Sequence, residues 1–168
     1  MILNDRELRK LIEKGMIKNY IDIDKQLTPQ GFDMSVSKIY RINGAGVIDF
    51  SNKDRLIPPS KEILWGEGGV FLEKGNYKVK LREYVELPEN IIALAWPRSS
   101  LLRCGATINN AVWDAGFKGY SEVLLVVGEN GLRLKKNARI LHMVFFRIEN
   151  PEKPYNGVYS SKFLHGSH

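Results

Sequence analysis

Apolar and polar residues alternate along much of this chain with a period of two, and Gly, Pro, Asn or Asp interrupts the alternation every eight to twelve residues. That rhythm predicts many short, half-exposed strands. The cleanest is Tyr77 to Arg82, where Tyr77, Val79 and Leu81 alternate with Lys78, Lys80 and Arg82. Val85 to Leu87 and Ile91 to Trp96 continue the series on either side of Pro88. The second of these is apolar throughout and reads as buried on both faces. Gly128-Glu129-Asn130-Gly131 is a hairpin signal, with Leu132 and Leu134 alternating against Arg133 and Lys135 beyond it. Arg139 to Ile148 is a long apolar strand. Asn43-Gly44-Ala45-Gly46 reads as another hairpin turn and not as a phosphate cradle, because no helical pattern follows it.

One stretch keeps a different period. Asn4 with Glu7 three residues on suggests a capping box, Leu8, Leu11 and Ile12 form a stripe, and Gly15 ends a short helix over 4–14. From Tyr20 to Lys25, Ile and Asp alternate until Leu27-Thr28-Pro29-Gln30-Gly31 breaks the run and delivers Phe32 to Val36. The whole predicts an all-β domain, a barrel or jelly roll with a short N-terminal helix.

At 168 residues the chain is expected to be a single domain with a core of its own. Its one cysteine, Cys104, excludes an internal disulfide framework and reads as a small buried hydrophobe. No apolar run approaches 18 residues, and the opening Met-Ile-Leu-Asn-Asp-Arg-Glu lacks the order of a signal peptide, so a cytoplasmic protein without a membrane partner is expected. The net charge of +6 and a pI of 9.4 favour anionic partners. The lysines are dispersed, which argues against a stable nucleic-acid partner, and one Cys with three His cannot build a zinc centre.

The polar chemistry concentrates in Pro97 to Val127. Arg98, Ser99 and Ser100, with Arg103 following, offer forked guanidinium donors and hydroxyls suited to an oligophosphate, or else form an ordinary turn. Asp114, between apolar Trp113 and Ala115, is either a working carboxylate or a structural one bonding the turn ahead of Gly116.

These features resemble, in their order, the deoxyuridine triphosphatase and dCTP deaminase superfamily, on its archaeal-type triphosphatase branch with a deaminase-like fold. Gln30 to Met34 looks like the first of the five family motifs, and Pro97 to Arg103 is a near copy of the second. Asn109 to Gly119 looks like the third, Asn137 to Phe145 is similar to the fourth, and Pro154 to Ser161 is a weak match to the fifth. The resemblance spans residues 1–163 and implies one distorted β-barrel domain there. Residues 164–168 are left as a flexible end whose Gly-Ser-His has the look of an expression remnant.

The resemblance implies Mg²⁺-dependent hydrolysis of dUTP to dUMP and pyrophosphate. It makes Asp114 the catalytic base and assigns the phosphates to Arg98, Ser99, Ser100, Arg103, Arg139, Tyr155 and Lys162. Asn109 and Asn110 would read the base, Phe117 would lie under the sugar, and Asp33 would touch a magnesium ion through water. A homotrimer with sites at subunit interfaces is implied as well. The family's deaminases carry a glutamate five residues after the glycine matched by Gly119, and this chain has Leu124 there. A leucine cannot move a proton. Hydrolysis is therefore expected over the alternatives, a dCTP deaminase or bifunctional enzyme, or a non-catalytic nucleotide- or nucleic-acid-binding barrel. His142 departs from the glutamine of many relatives, and the tail with Tyr155, Tyr159 and Lys162 is nearer the deaminase-like branch.

Overall fold

Asn4 begins the first regular element as its spacing predicts. Its side chain accepts from the Glu7 N–H at 3.0 Å, and the Glu7 carboxylate reaches back to the Asn4 N–H at 3.4 Å, capping α1 (Asp5–Glu13). Leu8 and Ile12 turn into the core, and Gly15 leaves the helix at φ +97°, a conformation that disfavours a side chain. The structure is a computed structural model and describes residues 1–149, 151–153 and 155–157.

Beyond α1 the chain is mostly strand. In order come β1 (Ile17–Lys18), α2 (Ile23–Gln26), β2 (Leu27–Thr28), β3 (Gly31–Ile42), β4 (Ser60–Ile63), β5 (Val70–Leu72), β6 (Gly75–Glu86) and β7 (Ile91–Pro97). Then follow α3 (Ser99–Arg103), β8 (Ala106–Asn109), β9 (Lys118–Val127), β10 (Leu132–Leu134) and β11 (Arg139–Arg147). The main sheet runs β7-β11-β3-β6-β9-β8 with antiparallel neighbours. Just past β8, Trp113 bonds back to Ala93 of β7 through both backbone groups, so the sheet nearly closes into a barrel. Inward residues of alternate positions, such as Tyr77, Val79, Leu81, Val123 and Leu125, fill it.

Several local expectations change. The Ile-Asp alternation at 20–25 becomes a turn of helix, because the Asp22 side chain accepts from Asp24 and Lys25 N–H and caps α2. The chain does not turn back at 43–46. Asn43 bonds Pro59, Val47 bonds Leu56, and the turn falls at Asp49, whose carboxylate accepts from Ser51 and Lys53. The turn at 128–131 forms, yet β10 pairs with β5 and not with β9, which lets Leu132 and Leu134 reach the core beside Leu72. In β7 only Ile91 and Ala93 are buried and Trp96 is 52% exposed, because among the described residues no second layer covers its outer face. Cys104 is exposed: it caps the end of α3, and Leu101 takes the buried position there.

Candidate active site

The sequence-predicted residues fall into two groups, each fixed by a different part of the barrel. The first gathers around Asp33. On the register of β3 and β11, His142 lies opposite Asp33, and its Nδ1 meets Asp33 Oδ1 at 3.0 Å. Arg139 is three residues away, which in a regular strand would point it to the opposite face. The register slips between Arg139 and Leu141, so Ile140 and Leu141 are both buried and Arg139 returns to the side of His142. Its Nη1 reaches Asp33 Oδ2 at 3.3 Å and also donates to the Lys25 carbonyl.

Arg98 arrives from the third direction. Its backbone N–H bonds Ile140 at the end of β7, and its Nε meets Asp33 Oδ2 at 2.8 Å. Contact through Nε leaves both terminal nitrogens of the guanidinium as donors for an incoming oxyanion. Ser99 and Ser100 open α3 with exposed hydroxyls, and exposed Arg103 lies one helical turn beyond Ser99, on the same side. With a neutral imidazole the group of Asp33, Arg98 and Arg139 carries a surplus positive charge.

Asp33, which the resemblance assigns a water-mediated metal contact, is engaged here by side chains of this chain. Both of its oxygens are taken by cationic or imidazole nitrogens, and its side chain is 4% exposed. Among the described residues no group of three His, Cys, Asp or Glu could hold a metal ion.

The second group is built on the β8–β9 hairpin. Asn109 lies opposite Leu124, and the two line a groove of about 400 Å³ together with Asn110, Lys78 and Glu122. Glu122, the nearest carboxylate to Leu124 along the strand, is paired to Lys78 at 3.4 Å. The Trp113 Nε1–H donates to Ser121 Oγ at 2.6 Å, and this bond with the Ala93 bridge pins the segment that follows. Trp113 and Ala115 face inward, so Asp114 between them is exposed and not desolvated within one chain. Its carbonyl accepts from Phe117 N–H at 3.0 Å across the turn at Gly116, where φ is +85°.

Phe117 is buried, with the Tyr155 ring 5.8 Å away and the Tyr155 N–H on the Ala115 carbonyl at 2.9 Å. Tyr155 thus stands beside Phe117 and Ala115. Lys162 and Tyr159, and the boundary at residue 163, lie outside the described residues.

Within one chain Asp114 stands apart from the arginines, although β8, which carries Asn109, packs against α3 and β7. Trp113 pairs with Ala93, and from there to Arg98 are five residue steps along β7, about 16 Å at the rise of a strand. Exposed apolar side chains flank both groups: Trp96 and Leu102 beside the arginines, Val112 beside Asp114. Sequence reasoning missed Glu83, fully buried on β6, although the inward alternation of Tyr77, Val79, Leu81 and Val85 places position 83 on the core face. Burial pushes its carboxyl above the usual range, opposed by hydrogen bonds from Ser35 and Gln26.

Residues 2–148 match the family described as dCTP deaminase-like. A protein of Archaeoglobus fulgidus named probable deoxyuridine 5'-triphosphate nucleotidohydrolase is 45% identical over 163 residues, 96% of each chain. The deoxyuridine 5'-triphosphate nucleotidohydrolase of Methanocaldococcus jannaschii is 41% identical over 90% of this chain and 99% of its own. Among solved structures, the 2'-deoxycytidine 5'-triphosphate deaminase of Agrobacterium tumefaciens superposes with a TM-score of 0.67 at 27% identity. That match takes in 88% of this chain and about half, 48%, of that one.

Proposed function

The chain belongs to the dCTP deaminase-like family, and we propose that it acts there as a hydrolase converting dUTP to dUMP and pyrophosphate. The relatives of 41% and 45% identity carry nucleotidohydrolase names, which supports that reaction. The observation that carries the choice against deamination is Leu124. It occupies the groove beside Asn109, and the neighbouring carboxylate of Glu122 is held by Lys78. A base able to activate water against a cytosine ring is missing at that position.

In this reading Arg98, Arg139, Ser99, Ser100 and Arg103 grip the triphosphate, and Asn109 and Asn110 meet the base. Phe117 supports the sugar. Asp114 takes a proton from water as the water oxygen bonds to the α-phosphorus; the bond from that phosphorus to the bridging oxygen breaks, and pyrophosphate leaves with the electron pair. Magnesium enters as part of the substrate, on the oxygens of the triphosphate and on water. The reaction draws on free nucleotides, in keeping with a cytoplasmic protein.

Because the arginines and Asp114 stand apart on one chain, a working site takes one group from each of two copies. A contact of unlike surfaces that closes into a ring satisfies every site, and the family resemblance makes three copies the expected number. Exposed Trp96, Leu102 and Val112 offer the apolar surface for it.

The test is a panel of common deoxynucleoside triphosphates and UTP, assayed for pyrophosphate and ammonia together. Pyrophosphate from dUTP without ammonia from dCTP is expected. Ammonia from dCTP would favour the deaminase, and no pyrophosphate from any nucleotide a binding barrel. Shared sites are checked by mixing inactive Asp114→Asn and Arg98→Ala proteins and reassembling them. Random assortment into rings should restore about a quarter of wild-type activity, whereas sites within one chain would leave the mixture dead.

A further inference from the structure

Beneath the arginine group lies a set of buried polar residues that the hydrolysis scheme does not use. Glu83 and Ser35 are fully buried, and Gln26 is 2% exposed. Their placement follows from a fork in the sheet. Strands β3 and β6 pair as far as Val36 opposite Leu81 and then part, β3 continuing with β2 and β11, β6 with β1 and β9. Glu83 stands two residues past the last pair. Its carboxylate takes over where the ladder stops, accepting from Ser35 N–H at 2.9 Å, Ser35 Oγ–H at 2.6 Å and Gln26 Nε2–H at 2.7 Å.

Gln26 carries the connection onward. Its Nε2 also donates to the Asp33 carbonyl at 2.9 Å, and its Oε1 accepts from the Ile21 and Asp22 N–H groups at 2.8 and 3.1 Å. All of its hydrogen-bonding capacity on the acceptor side thus goes to the segment leading into α2. Arg139 is gripped at two points, the Asp33 carboxylate and the Lys25 carbonyl. Gln26 is bonded to the backbone of the first and is the chain neighbour of the second. An apolar residue at position 83, between inward Leu81 and Val85, would avoid the cost of burying a carboxylate, so packing alone gives no reason for Glu there.

We propose that Glu83 and Gln26 form a buried strut that positions Asp33 and, through it, Arg98 and Arg139 for the triphosphate. The strut rests on the reading that these arginines bind phosphate. Neither residue touches substrate; both are positioning residues.

The test uses the full chain with Glu83→Gln and, separately, Gln26→Met. An amide at 83 turns a donor toward Ser35 N–H or Gln26 Nε2, and methionine at 26 keeps length without the bonds. Steady-state kinetics with dUTP and calorimetric binding of inorganic tripolyphosphate are measured well below each melting temperature. KM and the tripolyphosphate Kd are expected to rise about tenfold or more, with kcat within about threefold. In an Arg139→Ala background the same substitutions should change Kd far less, since the strut then has less to hold. Unchanged Kd in folded variants, or effects that simply add to those of Arg139→Ala, would overturn the strut while leaving the site intact. Failure of both variants to fold would assign the network to stability and overturn it also. A wild-type protein that neither binds tripolyphosphate nor hydrolyses dUTP would instead remove the reading of the site.

Discussion

Asp114→Asn is expected to lower kcat for dUTP by about a thousandfold, within the range a positioned general base contributes, while KM stays within about threefold. The substitution keeps the shape of the side chain and removes its ability to accept the proton of the attacking water. Binding is spared because the phosphates, base and sugar are assigned to other residues, and the backbone turn at Asp114 and Phe117 uses a carbonyl that the variant retains. Exposure of Asp114 on the single chain means that little stability is at stake, so melting should be unchanged. Single-turnover kinetics with saturating enzyme would confirm that the chemical step is the slow one. A kcat within tenfold of wild type would remove Asp114 from its role.

Asp33→Ala should act through stability and binding together. The carboxylate is buried and lies between two guanidiniums and an imidazole, so its removal leaves like charges facing one another without a counter-ion. Breaking a buried pair costs about 3–5 kcal/mol, and the arginines reach solvent at roughly a third of their surface, which brings the expected loss to about 2–3 kcal/mol. For a domain of this size that is a fall in Tm of about 5–10 °C. KM for dUTP should rise because Arg98 and Arg139 lose their shared anchor. Inorganic tripolyphosphate should recover part of the lost Tm, since it supplies negative charge to the folded variant alone. If Asp33 instead organised a metal ion, the variant would change the magnesium dependence of turnover and leave Tm untouched. That result would reverse the assignment.

The residues were more legible than their arrangement. Capping at Asn4 and Glu7, the alternation of β6 and the long run of β11 all rest on neighbours a few positions apart, and each forms where its spacing predicts. Of the features that failed, one lost to a local cap and the others depend on distant partners. The alternation at 20–25 lost to a cap from Asp22, β10 chose β5 over the adjacent β9, and the outer face of β7 was uncovered because none of the described residues lies over it. Asp33 was singled out from the sequence, yet its duty could not be read there. A turn aspartate, a metal contact and a charge anchor look the same until the arginines around it are located.

By itself, the order of short motifs determined the family resemblance and the chemistry available: forked cations, an acid between apolar neighbours, two amides, and a leucine where a proton-moving group would be needed for deamination. Such properties belong to side chains and survive any folding. Tertiary structure alone decided how they combine. A one-residue slip in β11 turns Arg139 toward the same carboxylate that His142 meets, the fork of β3 and β6 buries Glu83, and the length of β7 holds the acid and the arginines apart. Strand register is a long-range property, set by which strands pair and where the ladder slips, and no local spacing encodes it.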